Sequence, residues 1–400
     1  MTLHRGDFGP EAIHMPNAVR MRVRLLRPVP RKIPHAERVN SVRNKRVFSL
    51  MFIFFGMICD AWLRIAAEAA ARTVYSACSY PLQYLSEPST TKSRNMTEPT
   101  LNYLNCPDAS GSHRMAYWQW GNPASGRVIV CVHGLSRQGR DFDVLALALC
   151  EKAARLPDGI RVVCPDVVGR GESDWLADPM GYQIPSYAAD MLAMLGQLHA
   201  QAPITTLDWV GTSMGGLIGM VVSGQPALPL PVPVRKLVLN DVGPALEYSA
   251  LLRIGTYLGQ AGHFNTVEDA ANAMWAISLG FGPHTPDQWL ALSQHMVRPV
   301  SQNESRLRMH YDPAIAVPFR QTTEASTLQG EAILWQLYDN IQCETLLTRG
   351  KNSDLLSPAT ALAMGQRGPR ARLVEFEGVG HAPTLIAGDQ VATVTGFLLD

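Results

Sequence analysis

The 400-residue chain has no C-x-x-C pair, no G-x-x-x-x-G-K-[ST] loop and no G-x-G-x-x-G turn. These absences remove zinc-ribbon, thioredoxin-like, P-loop and dinucleotide-binding readings. Cysteine is sparse, seven residues with none close to another (Cys59, Cys78, Cys106, Cys131, Cys150, Cys164 and Cys343). Cys131 and Cys164 fall inside apolar runs, where a thiol packs as a small apolar group. That usage suits a reducing compartment, and the expected location is the cytoplasm. Histidines and carboxylates show no metal-ligand spacing, so neither a metal nor a cofactor is expected. The net charge of +1 hides an asymmetry: residues 1–47 carry 11 Lys and Arg against 3 Asp and Glu, the remainder 24 against 31. The main body is therefore mildly acidic and offers no face for nucleic acid.

Long apolar runs are lacking too. Val47–Cys59 is 13 residues long, short of the roughly 20 that span a bilayer as a helix. Three readings stay open for it. It is the core of a signal peptide behind an overlong basic lead, or a tilted anchor that Ala61, Trp62 and Leu63 extend, bringing residues 47–63 to a membrane. In the third, the true start lies downstream of Met1, since Met51 and Met96 are both plausible initiators, and the leading stretch is a non-functional extension. An anchored or exported protein is thus the alternative to a cytoplasmic one. Residues 1–46, rich in Arg and Pro, are expected to be disordered. Residues 47–96 hold the apolar segment, an alanine-rich helix and a polar linker.

What is present is organised around Leu207–Gly216, L-D-W-V-G-T-S-M-G-G. A short apolar strand runs into G-x-S-x-G, and an apolar helix follows from Leu217. A serine on such a turn is the nucleophile elbow: the tight bend needs Gly211 and Gly215, strains the serine backbone and lifts the Ser213 hydroxyl clear of the sheet. The following helix aims its first amides at developing negative charge.

From Leu101 onward, strand and helix patterns alternate. Arg127–His133, Arg161–Pro165, Leu207–Thr212, Val234–Asn240, Cys343–Arg349 and Ala371–Phe376 read as strands, several as continuous β-branched runs covered on both faces. This predicts an α/β fold with a mostly parallel central sheet flanked by helices. Residues 97–242 and 340–400 form its core. The stretch 243–339 shows helical periodicity only and is expected to be a helical lid inserted after the sixth strand. Its Trp275, Trp289, Met296, Trp335 and Leu337 are each read first as packing within the lid itself, with an apolar acyl or alkyl pocket wall as the alternative.

A serine nucleophile needs a base, and the base an orienting acid. His381, in G-V-G-H-A-P after the last strand, is the expected base. Asp354, on the loop after Cys343–Arg349, is the expected acid; Asp241, after Val234–Asn240, is its rival, and loops after either strand can reach the histidine. Two backbone N–H groups must hold the oxyanion, and Leu135, beside Gly134, and Met214 are the candidates. His133 braces that loop, and Asp166–Asp174 reads as a structural turn.

These motifs, His133-Gly134, Asp166-x-x-Gly169-x-Gly171-x-Ser173, Gly211-x-Ser213-x-Gly215-Gly216, Asp354 and Gly380-His381, resemble the α/β-hydrolase fold superfamily over residues 101–400, in its serine esterase-like branch. The resemblance implies hydrolysis of a carboxylic ester with a small to medium acyl group, through an acyl-enzyme on Ser213. A serine at the elbow separates the chain from the dehalogenase and epoxide-hydrolase branches. A C–C bond hydrolase, thioesterase, lactonase or acyltransferase on the same fold, or a slow-turnover ligand-binding protein, remain alternatives. The expected partner is a small ester-like molecule.

Overall fold

A computed structural model of the chain describes residues 98–400, apart from residue 261. The basic stretch 1–46, the apolar and alanine-rich segment 47–96 and the membrane contact through 47–63 lie outside the described residues. Among those described, no helix is long and apolar enough to cross a membrane.

Eight strands build the central sheet: β1 (Thr100–Asp108), β2 (Gly111–Gly121), β3 (Arg127–Val132), β4 (Arg161–Asp166), β5 (Thr206–Thr212), β6 (Val234–Asn240) and, after a long insertion, β10 (Glu344–Gly350) and β11 (Arg372–Phe376). Their order is β1-β2-β4-β3-β5-β6-β10-β11. The β1–β2 and β2–β4 pairs are antiparallel, and the others are parallel.

The apolar runs are continuous because the sheet is covered on both sides. In β3, Val128, Val130 and Val132 point into one core, with α2 (Ile184–Gln201) and α3 (Met214–Gly224). Ile129 and Cys131 point into the other, with α1 (Asp143–Lys152) and α10 (Gly388–Leu399). All five side chains are fully buried, each aliphatic one contributing about 1.5–3 kcal/mol.

The insertion between β6 and β10 holds helices α4 (Tyr248–Tyr257), α5 (Val267–Ile277), α6 (Pro286–Gln294), α7 (Ala316–Arg320) and α8 (Glu324–Asn340), while α9 (Pro358–Met364) follows β10. It is not purely helical, as its periodicity suggested. Three strands, β7 (His263–Phe264), β8 (Val297–Pro299) and β9 (Leu307–Met309), make a small antiparallel sheet in the order β7-β9-β8. Two or three residues are too few for a period of two to register.

The elbow glycines are sterically required. A Cβ at Gly215 would lie 2.0 Å from the Val132 carbonyl oxygen, and one at Gly211 would lie 2.3 Å from the Gly215 carbonyl oxygen. Neither carbonyl can retreat without breaking the sheet or the helix start. Gly215→Ala is expected to cost about 3 kcal/mol or more of stability, at or above the upper end for overpacked cores, read from urea denaturation midpoints.

Candidate active site

Ser213 stands between β5 and α3 with φ +51° and ψ −115°, a conformation that non-glycine residues rarely hold without surrounding constraint. Its hydroxyl lies 2.9 Å from His381 Nε2. His381 Nδ1 lies 2.7 Å from Asp241 Oδ2. The carboxylate can only accept from Nδ1–H, so Nε2 is the free acceptor for the serine proton.

The acid beside the histidine is therefore Asp241 rather than Asp354. Asp241 is fully buried, and its backbone is left-handed at φ +55°, which aspartate tolerates better than most residues. Its carboxylate accepts from Gly350 N–H at 2.9 Å and the Ser353 hydroxyl at 2.6 Å as well as from His381. Three donors offset the cost of burying the charge. Asp354 is next to Ser353 but turned outward. Its side chain is 47% exposed and forms a two-pronged pair with Arg253, at 2.6 and 3.0 Å. The turn explains the difference: Ser353 N–H bonds the Gly350 carbonyl and Leu356 N–H bonds the Ser353 hydroxyl, so Ser353 faces inward. Buried Arg349 fixes the same loop by donating to the Leu356 carbonyl at 2.8 Å.

Leu135 and Met214, which carry the two proposed oxyanion donors, border the same cavity as Ser213. Met214 opens α3, so its N–H has no intrahelical acceptor. The His133–Leu135 loop runs alongside, close enough that a Cβ at Gly134 would lie 3.7 Å from Ser213 Cβ. His133 braces this loop: Nδ1–H donates to the Gly134 carbonyl at 2.7 Å and Nε2 accepts from Val167 N–H at 2.9 Å. Both nitrogens are committed and the ring is fully buried, and burial pushes its pKa down to about 3. The unfolded chain takes up this proton near the usual 6.5 while the folded protein does not, so stability is lost as pH falls below 6.5. The loss between pH 6.5 and 4.5 is roughly 2 kcal/mol. Urea melts should show that fall, and His133→Gln, less stable throughout, should show a shallower one by about that amount.

Arg170, between the two glycines of the Asp166–Ser173 segment, was not singled out by its sequence. Its guanidinium is fully buried. It donates to the Leu135 carbonyl (2.8 Å), the Val168 carbonyl (2.7 Å) and the Tyr187 hydroxyl (3.1 Å), and contacts Met214 Sδ at 3.7 Å. It thus links the residues that carry both candidate oxyanion amides. An arginine in a segment otherwise read as a turn was the only signal.

A cavity of about 550 Å³ opens beside Ser213, with Leu135, Met214, Leu217, Val242, Ile254, Phe319 and Leu334 in its wall. The insertion supplies much of that wall through α4, α7 and α8. The five residues suggested for it are not among its lining. Trp275, Trp289 and Met296 pack within the insertion's own core, and Trp335 stacks edge-on against Tyr338.

The fold also assembles a group that spacing did not reveal. Cys106 faces His113 across the β1–β2 pair, and Asp190 comes down from α2, placing three potential metal-ligand atoms within 4.8 Å of one another. They are engaged with protein partners: His113 binds Asp190 at 3.1 Å and Asp108 at 2.9 Å. None of these residues lines the cavity.

Residues 129–394 match the model of the alpha/beta hydrolase family. The chain belongs to this family. A 3-hydroxybutyrate-oligomer hydrolase from Cupriavidus necator is 46% identical over 300 residues, covering 75% of this chain and 97% of that protein. The crystal structure of an α/β hydrolase from Novosphingobium aromaticivorans is similar with a TM-score of 0.62 and 32% identity, covering 76% of this chain and 99% of that one. An esterase structure from Mycobacterium tuberculosis, at 21% identity and a TM-score of 0.51 over 75% of this chain and 92% of its own, shares the fold.

Proposed function

We propose that this α/β hydrolase, a carboxylic-ester hydrolase, cleaves short oligoesters of 3-hydroxyacids through an acyl-enzyme on Ser213. The observation that carries the reading is the run Asp241–His381–Ser213, at 2.7 and 2.9 Å, beside a cavity of about 550 Å³. The substrate class comes from the Cupriavidus necator relative, which matches this chain over nearly its own full length.

Ser213 Oγ attacks the ester carbonyl as His381 Nε2 takes its proton, and Asp241 holds the imidazole tautomer and stabilises the imidazolium. The amides of Leu135 and Met214 receive the oxyanion, and Arg170 keeps both residues in register. The C–O bond to the leaving unit breaks as His381 returns the proton to its oxygen. Water, deprotonated by His381, then releases the acid. Residues 243–339 act as a lid that excludes bulk water and shapes the acyl site. The five cysteines of the described residues are free thiols, four of them buried, which fits a cytoplasmic setting. Incubation with the linear trimer of 3-hydroxybutyrate should yield monomer and dimer by chromatography; an intact trimer, alongside turnover of p-nitrophenyl butyrate, would reject this substrate class.

A further inference from the structure

An oligomer of a 3-hydroxyacid has two unlike ends, and each ester bond divides it the same way. The acyl half, which becomes bonded to the serine, carries the free hydroxyl terminus. The alcohol half, which leaves, carries the free carboxylate. The half that enters a given cavity is therefore decided by how that cavity treats a negative charge.

The cavity beside Ser213 treats it badly. Leu135, Met214, Leu217 and Val242 make its wall largely apolar, and Gln183, Gln321 and Thr327 add polar but neutral groups. Among the described residues, none of the lining side chains is a lysine, arginine or histidine, and the one charged group is the carboxylate of Glu331 on α8. Glu331 is half-buried and accepts from Trp335 Nε1 at 3.3 Å, which holds it in place. The neighbouring cations are already engaged. Arg170 is buried against Leu135 and Met214 and donates to three protein oxygens, Arg253 is paired with Asp354, and Arg320 donates to the Leu258 carbonyl. A second carboxylate in this cavity would lose water and meet a like charge with no counter-ion.

We propose that this cavity is the acyl-side subsite, that it admits only uncharged acyl halves, and that Glu331 enforces the choice. The inference rests on the ester-hydrolase reading above. Oligomers then bind in one direction, with the hydroxyl-ended half inside and the carboxylate-ended half outside. Ser213 Oγ bonds to the carbonyl carbon of the inner half, the C–O bond to the outer half breaks, and the proton of Ser213 passes through His381 to the departing oxygen.

The test compares kcat/KM for p-nitrophenyl hexanoate and mono-p-nitrophenyl adipate. Their acyl chains have equal carbon counts and differ in a terminal carboxylate. The wild-type chain should prefer the hexanoate by about 100-fold or more, Glu331→Gln should narrow that ratio, and Glu331→Lys should narrow it by at least about tenfold. A wild-type ratio within about threefold, or a ratio unchanged in both variants, overturns the assignment of the cavity and of Glu331. A folded wild-type protein that hydrolyses neither ester overturns the underlying ester-hydrolase reading, and the proposal with it.

Discussion

Asp241→Asn is expected to lower kcat for p-nitrophenyl butyrate by about 10⁴, whereas Asp354→Asn should leave it within about threefold of the wild type. The asparagine amide would donate to His381 Nδ1 and drive the imidazole proton to Nε2, so the serine would face a donor instead of an acceptor. Its oxygen can still accept from Gly350 N–H, and its shape is that of the aspartate, so the fold should persist. Circular dichroism and the denaturation midpoint check that point. The Asp354 change removes only an exposed pair with Arg253, and such pairs contribute about 0–1 kcal/mol. Initial rates for the two variants decide between the carboxylates, since the opposite ranking would place the acid after β10.

Ser213→Ala should reduce kcat by about a millionfold, near the residue left when a serine triad loses its nucleophile. Among the described residues the side chain makes one polar contact, to His381 Nε2, and the strained backbone at φ +51° is held by Gly211 and Gly215 on either side. Removing one oxygen should therefore leave stability within about 1 kcal/mol of the wild type, a change typical of sites away from packing. Activity above about a thousandth of the wild type in this variant would mean that another group attacks the ester.

The elbow and the histidine loop were legible in the sequence because their geometry is local. Glycine is required within two residues of Ser213, and Gly378-Val379-Gly380 and Pro383 mark a loop around His381. The core strands were legible for a different reason: burial on both faces leaves runs such as Val128–Val132 without polar interruption. The acid was ambiguous because the choice is made by a turn. Asp354 and Asp241 follow adjacent strands of the sheet, and only the hydrogen bonds of Gly350, Ser353 and Leu356 turn Ser353 inward and Asp354 outward. The insertion was harder to read. Its strands are two or three residues long, and its tryptophans are amphipathic side chains that pack equally well inside the insertion or over the pocket. Long-range assemblies such as Arg170 on Leu135 and Met214, or Cys106 with His113 and Asp190, join residues far apart in sequence and have no local signature.

The central claim is that Ser213, activated by His381 and Asp241, carries the acyl group. Labelling with a fluorophosphonate, followed by intact-protein mass spectrometry and peptide mapping, tests it directly. One adduct per chain is expected, on the peptide containing Ser213, with esterase activity lost in step with labelling and no adduct in Ser213→Ala. An adduct on another residue, or full activity in a chain that takes no label, would contradict the account.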